Sequence, residues 1–120
     1  MISKKTLVLG ASTNSSRYSF IAVNRLLEHG HKVFPVGIKK GSIAGIDIIN
    51  GEPIIENIDT LTLYIGPTIQ ENYYNYIINL KPKRVIFNPG TLNPEFIKLL
   101  EREDIEVVEA CTLVMLSAGT

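Results

Sequence analysis

The stretch Lys5-Thr6-Leu7-Val8-Leu9-Gly10-Ala11-Ser12-Thr13-Asn14-Ser15-Ser16-Arg17 joins an apolar run to a glycine, a cluster of small hydroxyl residues and a cation. An apolar strand that enters a small-residue loop and then a helix makes a cradle for phosphate. Loop amides and the first unpaired helical N–H groups converge on one anion, and the helix dipole adds roughly half a positive charge there. The hydroxyls of Ser12, Thr13, Ser15 and Ser16 offer further donors, and the planar guanidinium of Arg17 suits phosphate oxygens. A nucleotide-like ligand is implied. The dinucleotide fingerprint G-x-G-x-x-G is incomplete, because Gly10 fills its first position and Ser12 and Ser15 the other two. The weight therefore rests on context, a strand before the loop and a helix after it. The alternative is a polar turn that joins strand to helix and binds nothing.

A second group of residues decides which nucleotide fits. The next strand pattern ends in Gly37-Ile38-Lys39-Lys40. An NAD site places a carboxylate here for the ribose hydroxyls, whereas a phosphorylated ribose needs a cation. With no carboxylate present NAD is disfavoured, and Lys39 or Lys40 can pair with a ribose phosphate, as in NADP or coenzyme A (CoA). The plain alternative is a pair of solvated lysines. His29 and His31 flank a helix terminus with no third ligand nearby, so no metal site is expected. The lone Cys111 has no base assigned to it and is expected to pack as a small apolar side chain rather than act as a nucleophile.

Alternating elements must position these groups. Strand patterns fall at Thr6 to Leu9, Lys32 to Ile38, Leu61 to Ile65, Arg84 to Phe87 and Ile105 to Val108, with a short edge strand over Gly45 to Ile49. Between them, Val23, Leu26, Leu27 and Gly30 recur at helical spacing, and Gly30 marks that helix's end. Thr68-Ile69-Gln70-Glu71 fits a capping box ahead of Tyr73, Tyr76, Ile77 and Leu80, with Lys81-Pro82 as the stop. Asn93 and Pro94 open a further helix carrying Phe96, Leu99 and Leu100. Strands alternating with helices predict a doubly wound parallel sheet, an α/β, Rossmann-like fold spanning residues 1–120 as one domain. Ligands of such sheets bind beyond the carboxyl ends of the strands. The expected wall is Gly10 to Arg17, Gly37 to Lys40, Gly66 to Thr68, Asn88 to Thr91 and Ala110 to Thr112.

Twelve basic and twelve acidic side chains cancel, which removes the positive field expected of a nucleic-acid binder and favours a small-molecule ligand. No apolar run is long enough to span a membrane, and Met1-Ile2-Ser3-Lys4-Lys5 leads straight into a strand without a signal-peptide core. A cytoplasmic protein is expected, and the single cysteine agrees with a reducing compartment. Tyr73, Tyr74 and Tyr76 read as one helix face plus a neighbouring exposed ring.

Taken together the chain resembles the small CoA-binding proteins, whose fold is that of the CoA-binding domain in the succinyl-CoA synthetase alpha subunit. The resemblance covers almost the whole chain. It is carried by Gly10-Ala11-Ser12 with Arg17 and Ser19, by Leu26-Leu27-Glu28-His29-Gly30-His31-Lys32-Val33-Phe34-Pro35-Val36, by Ile43-Ala44-Gly45, by Asn88 to Glu95, and by Val107-Val108-Glu109-Ala110-Cys111. Two departures fall in the expected wall. Gly37-Ile38 stands where family members usually carry Asn-Pro, and Ala110 stands where they carry arginine before the final cysteine.

The resemblance implies that the adenosine and phosphates of CoA lie over Gly10, Ala11, Ser12 and Thr13 and near Lys39, with Pro67, Asn88, Pro89 and Gly90 beside the pantetheine. The residues expected to line the site are these together with Arg17, Ser19, Gly37, Lys40, Gly66 and Cys111. Synthetases of this fold carry a phosphorylated histidine and a nucleotide-binding partner on further domains, so no ligase activity is expected of 120 residues. The expected function is non-catalytic binding of CoA or an acyl-CoA. The rival readings are an NADP-dependent oxidoreductase, a thiol enzyme acting through Cys111, and an interaction domain that has lost its nucleotide. Beyond the small molecule, the one partner anticipated is a second copy of the chain in a homodimer.

Overall fold

The computed structural model describes residues 3–119, so Met1 and Ile2 of the expected leaderless start lie outside the described residues. The elements in chain order are β1 (Lys5–Leu9), α1 (Tyr18–Glu28), β2 (Lys32–Val36), β3 (Ser42–Ile43), β4 (Ile46–Asp47), β5 (Thr60–Leu63), α2 (Pro67–Gln70), α3 (Tyr74–Leu80), β6 (Arg84–Phe87), α4 (Pro94–Arg102), β7 (Glu106–Glu109) and α5 (Thr112–Ser117). A five-stranded parallel sheet runs in the order β2-β1-β5-β6-β7. This is the doubly wound, Rossmann-like α/β arrangement read from the sequence.

Each strand alternates its side chains between the two faces, as a period of two requires. Leu7, Leu9, Leu61, Leu63, Val85 and Phe87 point one way and pack with Tyr76 and Ile77 of α3 and Phe96 and Leu100 of α4. Val8 and Val33 point the other way, onto Val23 and Leu26 of α1 and Leu116 of α5. Because both faces are covered, the strands read as near-continuous apolar runs rather than as alternating ones.

The helix ends follow their local signals where those signals are backbone-driven. Gly30 takes φ 82°, and the N–H groups of Gly30 and His31 bond back to Leu27 and Leu26, which closes α1 in a Schellman turn. Asn93 Oδ1 accepts from the Phe96 amide and Pro94 occupies the first turn of α4. Lys81 adopts a left-handed φ of 52° and ends α3.

Four expectations change. The capping box at Thr68 does not form, because Gly66 is the N-cap and Pro67 already lies in the first turn of α2, so Gln70 falls inside the helix with its side chain turned inward. A tighter 3₁₀ turn over Glu71–Tyr73 then separates α2 from α3. The segment expected as an edge strand instead makes the small antiparallel pair β3–β4, turned by Ala44 and Gly45 at φ 50° and 81°, while Ile49 alone bridges Val36. Helix α5 has no counterpart in the periodicity, being short and apolar on nearly every side.

Candidate functional site

Loops at the carboxyl ends of β2, β1, β5 and β6 enclose a cleft of about 660 Å³. It straddles β1 and β5, where the chain's direction of winding reverses, which is where doubly wound sheets take ligands. Its position follows from how the first loop is held. The amides of Gly10 and Ala11 both donate to the Val36 carbonyl, at 2.9 Å each, so the β1 loop is fastened to the end of β2. Those two amides are therefore not available to a phosphate. Asn14 Oδ1 accepts from the amide and hydroxyl of Ser16, and Ser12 Oγ accepts from the Asn14 amide. Among the described residues the amides of Ser12 and Thr13, and of Tyr18 and Ser19 in the first turn of α1, make no hydrogen bond. The amides free to take an anion are thus those of Ser12, Thr13 and the α1 N-terminus, with the exposed Arg17 in the same lining.

Gly37 explains the first departure from the family pattern. A Cβ at Gly37 would meet the Ala11 carbonyl oxygen at 2.3 Å, so the β2 end approaches the first loop too closely for a side chain. The same approach ends β2 at Val36, short of Ile38. Asn50 Nδ2 donates to the carbonyls of Gly37 and Lys39 at 2.8 and 3.2 Å and holds the turn that presents Lys39. Gly41 packs against Thr13 across the cleft's outer lip, where an added Cβ would lie 2.4 Å from Thr13 Cγ2.

Of the residues expected to line the site, the cleft brings together Gly10, Ala11, Ser12, Thr13, Arg17, Ser19, Gly37, Lys39, Gly66, Pro89 and Gly90. Lys40, Pro67, Asn88 and Cys111 are not in its wall. Asn88 is 3% exposed and its side chain is committed inward: Nδ2 donates to Thr62 Oγ1 and the Leu63 carbonyl, and Oδ1 accepts from the Thr112 amide. It therefore joins β5, β6 and the start of α5 and sets the height of the Pro89–Gly90 turn. Cys111 is the half-buried N-cap of α5, and Ala110 beside it donates to the Phe87 carbonyl, so the second family departure also falls outside the wall.

Tyr18, Ile65, Ile69 and Tyr73 line the cleft without having been singled out. Each flanks a stretch already marked by small residues, and the strand-end rule extended by one helical turn would have reached them. Gln70, fully buried, donates from Nε2 to the carbonyls of Ile65 and Thr91, at 2.8 Å each, and accepts from Asn93 Nδ2. It ties the loops after β5 and β6 to the N-terminus of α4. Tyr74 stacks on Phe96 and Tyr73 meets Tyr76 edge-on, so all three rings pack against neighbours and the ring expected to be exposed, Tyr74, is half-buried.

Tyr64 forms part of the cleft floor, and its buried hydroxyl lies against Thr112 and Thr62 without a well-formed hydrogen bond. Burial pushes its pKa up from near 10 to about 12, and that of Tyr76 likewise to about 12. Folding holds both phenols neutral, so the stability they contribute is present below pH 10 and is lost as pH rises through about 12. Tyr64→Phe removes a poorly paired buried hydroxyl, is expected to leave stability at pH 7 unchanged or raised by about 1 kcal/mol, and flattens the alkaline loss. Thermal melts of both proteins at pH 7 and pH 11 check this; a Tyr64→Phe protein that melts well below wild type at pH 7 would show that the hydroxyl is bonded. At the amino ends of β1 and β2, His31 Nδ1 accepts from the Lys4 amide, and burial holds its pKa below the usual histidine value. No group of three or more His, Cys, Asp or Glu side chains comes together among the described residues.

A family model described as a CoA binding domain matches residues 4–117. The chain belongs to this family of CoA-binding domains. It is similar over 100% of its length, at 57% identity and a TM-score of 0.97, to the crystal structure of an uncharacterized protein, of which 99% is covered. It is also similar to a protein from Thermus thermophilus, at 26% identity and a TM-score of 0.85, covering 98% of this chain and 90% of that one. A hypothetical protein from Pyrococcus horikoshii OT3 matches at 27% identity and a TM-score of 0.86, with 97% and 83% covered. No curated protein matches. Among the described residues no helix of this CoA-binding domain is long and apolar enough to cross a membrane.

Proposed function

We propose that this CoA-binding domain holds CoA or an acyl-CoA in the cleft and does not turn it over. The observation that carries the reading is the arrangement at the switch point: unpaired amides of Ser12, Thr13 and the α1 N-terminus share one cleft with the cations Arg17 and Lys39. The pyrophosphate sits over the amides and Arg17, and Lys39 meets the ribose phosphate.

Titration calorimetry with CoA, dephospho-CoA and NADP tests the ligand. CoA is expected to bind severalfold more tightly than dephospho-CoA, and Lys39→Ala to erase that difference, because an exposed charge-assisted contact is of modest worth. Equal affinity of the two in wild type removes Lys39 from the site. Tighter binding of NADP than of CoA would transfer the reading to a dinucleotide enzyme. Incubation with acyl-CoA, followed by intact mass and free-thiol assay, tests the absence of turnover; an acyl adduct on Cys111 or steady thiol release overturns it.

A further inference from the structure

We infer that the CoA thioester accepted by this cleft carries an uncharged, apolar acyl group, seated at the β5–β6 end against Ile69 and Tyr73. The inference rests on the reading of the cleft as a CoA site. Strand order lays the lining out along a line. The β2 loop contributes Ile38 and Lys39, the β1 loop and α1 contribute Ser12, Thr13 and Arg17, and the segments after β5 and β6 contribute Ile65, Gly66, Ile69, Tyr73, Gly90 and Thr91. Neighbouring strands lie about 4.8 Å apart, so the two ends of the cleft are separated by about 14 Å.

Charge is divided sharply along that line. Both cations of the lining, Arg17 and Lys39, sit at the β2–β1 end. No lining residue after β5 or β6 is charged, and the one ionised side chain in the segment from Gly66 to Tyr73 is Glu71, an anion. CoA has the same division, with its phosphates at one end and a neutral pantetheine arm ending in sulfur at the other. With the phosphates fixed by Arg17 and Lys39, the sulfur is directed to the neutral end. A carboxylate on the acyl group would find no cation there. An alkyl group would instead cover Ile69, which is 52% exposed although it faces the cleft.

The test is a calorimetric series of CoA, acetyl-CoA, hexanoyl-CoA and succinyl-CoA on the wild-type protein and on Ile69→Ser. Each methylene removed from water raises affinity by about fourfold when fully buried. Hexanoyl-CoA is therefore expected to bind wild type about tenfold or more tightly than CoA, acetyl-CoA to fall between them, and succinyl-CoA to bind no better than CoA. Ile69→Ser is expected to shrink the ratio of hexanoyl-CoA to CoA affinity. Equal affinities for CoA and hexanoyl-CoA, a preference for succinyl-CoA, or an unchanged ratio in the Ile69→Ser protein overturns the inference while leaving the CoA reading in place. Failure of all four ligands to bind overturns the CoA reading, and this inference with it.

Discussion

Gly37→Asn, which installs the residue that family members usually carry at this position, is expected to lower the melting temperature by about 10 °C and to weaken CoA binding at least about tenfold. The cause is local. A Cβ at Gly37 would lie 2.3 Å from the Ala11 carbonyl oxygen, a separation no side chain tolerates. That carbonyl cannot simply retreat, because the amides of Gly10 and Ala11 are fixed on the Val36 carbonyl and the Gly37 amide on that of Ile49. Overpacking of a fitted site costs about 3 kcal/mol at the upper end, and about 3–4 °C of melting temperature accompanies each kcal/mol in a domain of this size. The loop that moves carries Ser12 and Thr13, so binding falls with stability. Gly37→Ala, which adds the Cβ alone, is expected to show most of the loss. Thermal denaturation and calorimetry on the two variants check it, and melting within about 2 °C of wild type would show that the β2 end does not approach the first loop this closely.

That glycine also marks a boundary of what is legible in the sequence. The sheet is legible because strands buried on both faces read as apolar runs, and α1 and α4 because Gly30 and Asn93-Pro94 act through their own backbone or their nearest turn. The first loop of the cleft is legible for the same reason: Gly10 to Ser19 is one continuous stretch of chain. Gly37 is different, since a missing side chain leaves no periodic trace and its cause, Ala11, is remote in sequence. Asn88 is marked as a ligand contact by its place at a strand end, yet its bonds to Thr62 and Thr112 are made across the sheet and turn it away from the cleft. Helix α5 is hidden because Leu113-Val114-Met115-Leu116 is as compatible with a strand as with a helix, and Cys111 gives no side-chain cap to decide between them. The apolar end of the cleft depends on Ile69 and Tyr73, whose spacing suits a buried helix face equally well.

Gln70 is the sharpest case, and replacing it is expected to cost as much as any change at the neutral end of the cleft. It lies inside the stretch Thr68 to Glu71 that suits a capping box, but the side chain is fully buried and donates both amide hydrogens to carbonyls, those of Ile65 and Thr91. Gln70→Leu keeps the volume and leaves two buried carbonyls unpaired, so it is expected to destabilise the fold by about 3 kcal/mol, from a desolvation cost of roughly 1–3 kcal/mol for each group. Gln70→Glu separates this donor role from simple packing. At pH 7 the introduced carboxylate faces two carbonyl oxygens, and its folded-state pKa is driven above the unfolded value near 4.3. The neutral acid is the form the fold tolerates, so the stability it retains is present below about pH 4.3 and is lost as pH rises through the higher folded pKa. Gln70→Glu is therefore expected to be less stable than Gln70→Leu at pH 7 and to recover relative to wild type as pH falls towards 4, since a protonated carboxyl again supplies one donor. Urea denaturation of the three proteins at pH 4, 5.5 and 7 reads this directly. A Gln70→Glu deficit that stays constant across the range would mean that the amide nitrogen does not face the two carbonyls, and that the loops after β5 and β6 are held together by something other than Gln70.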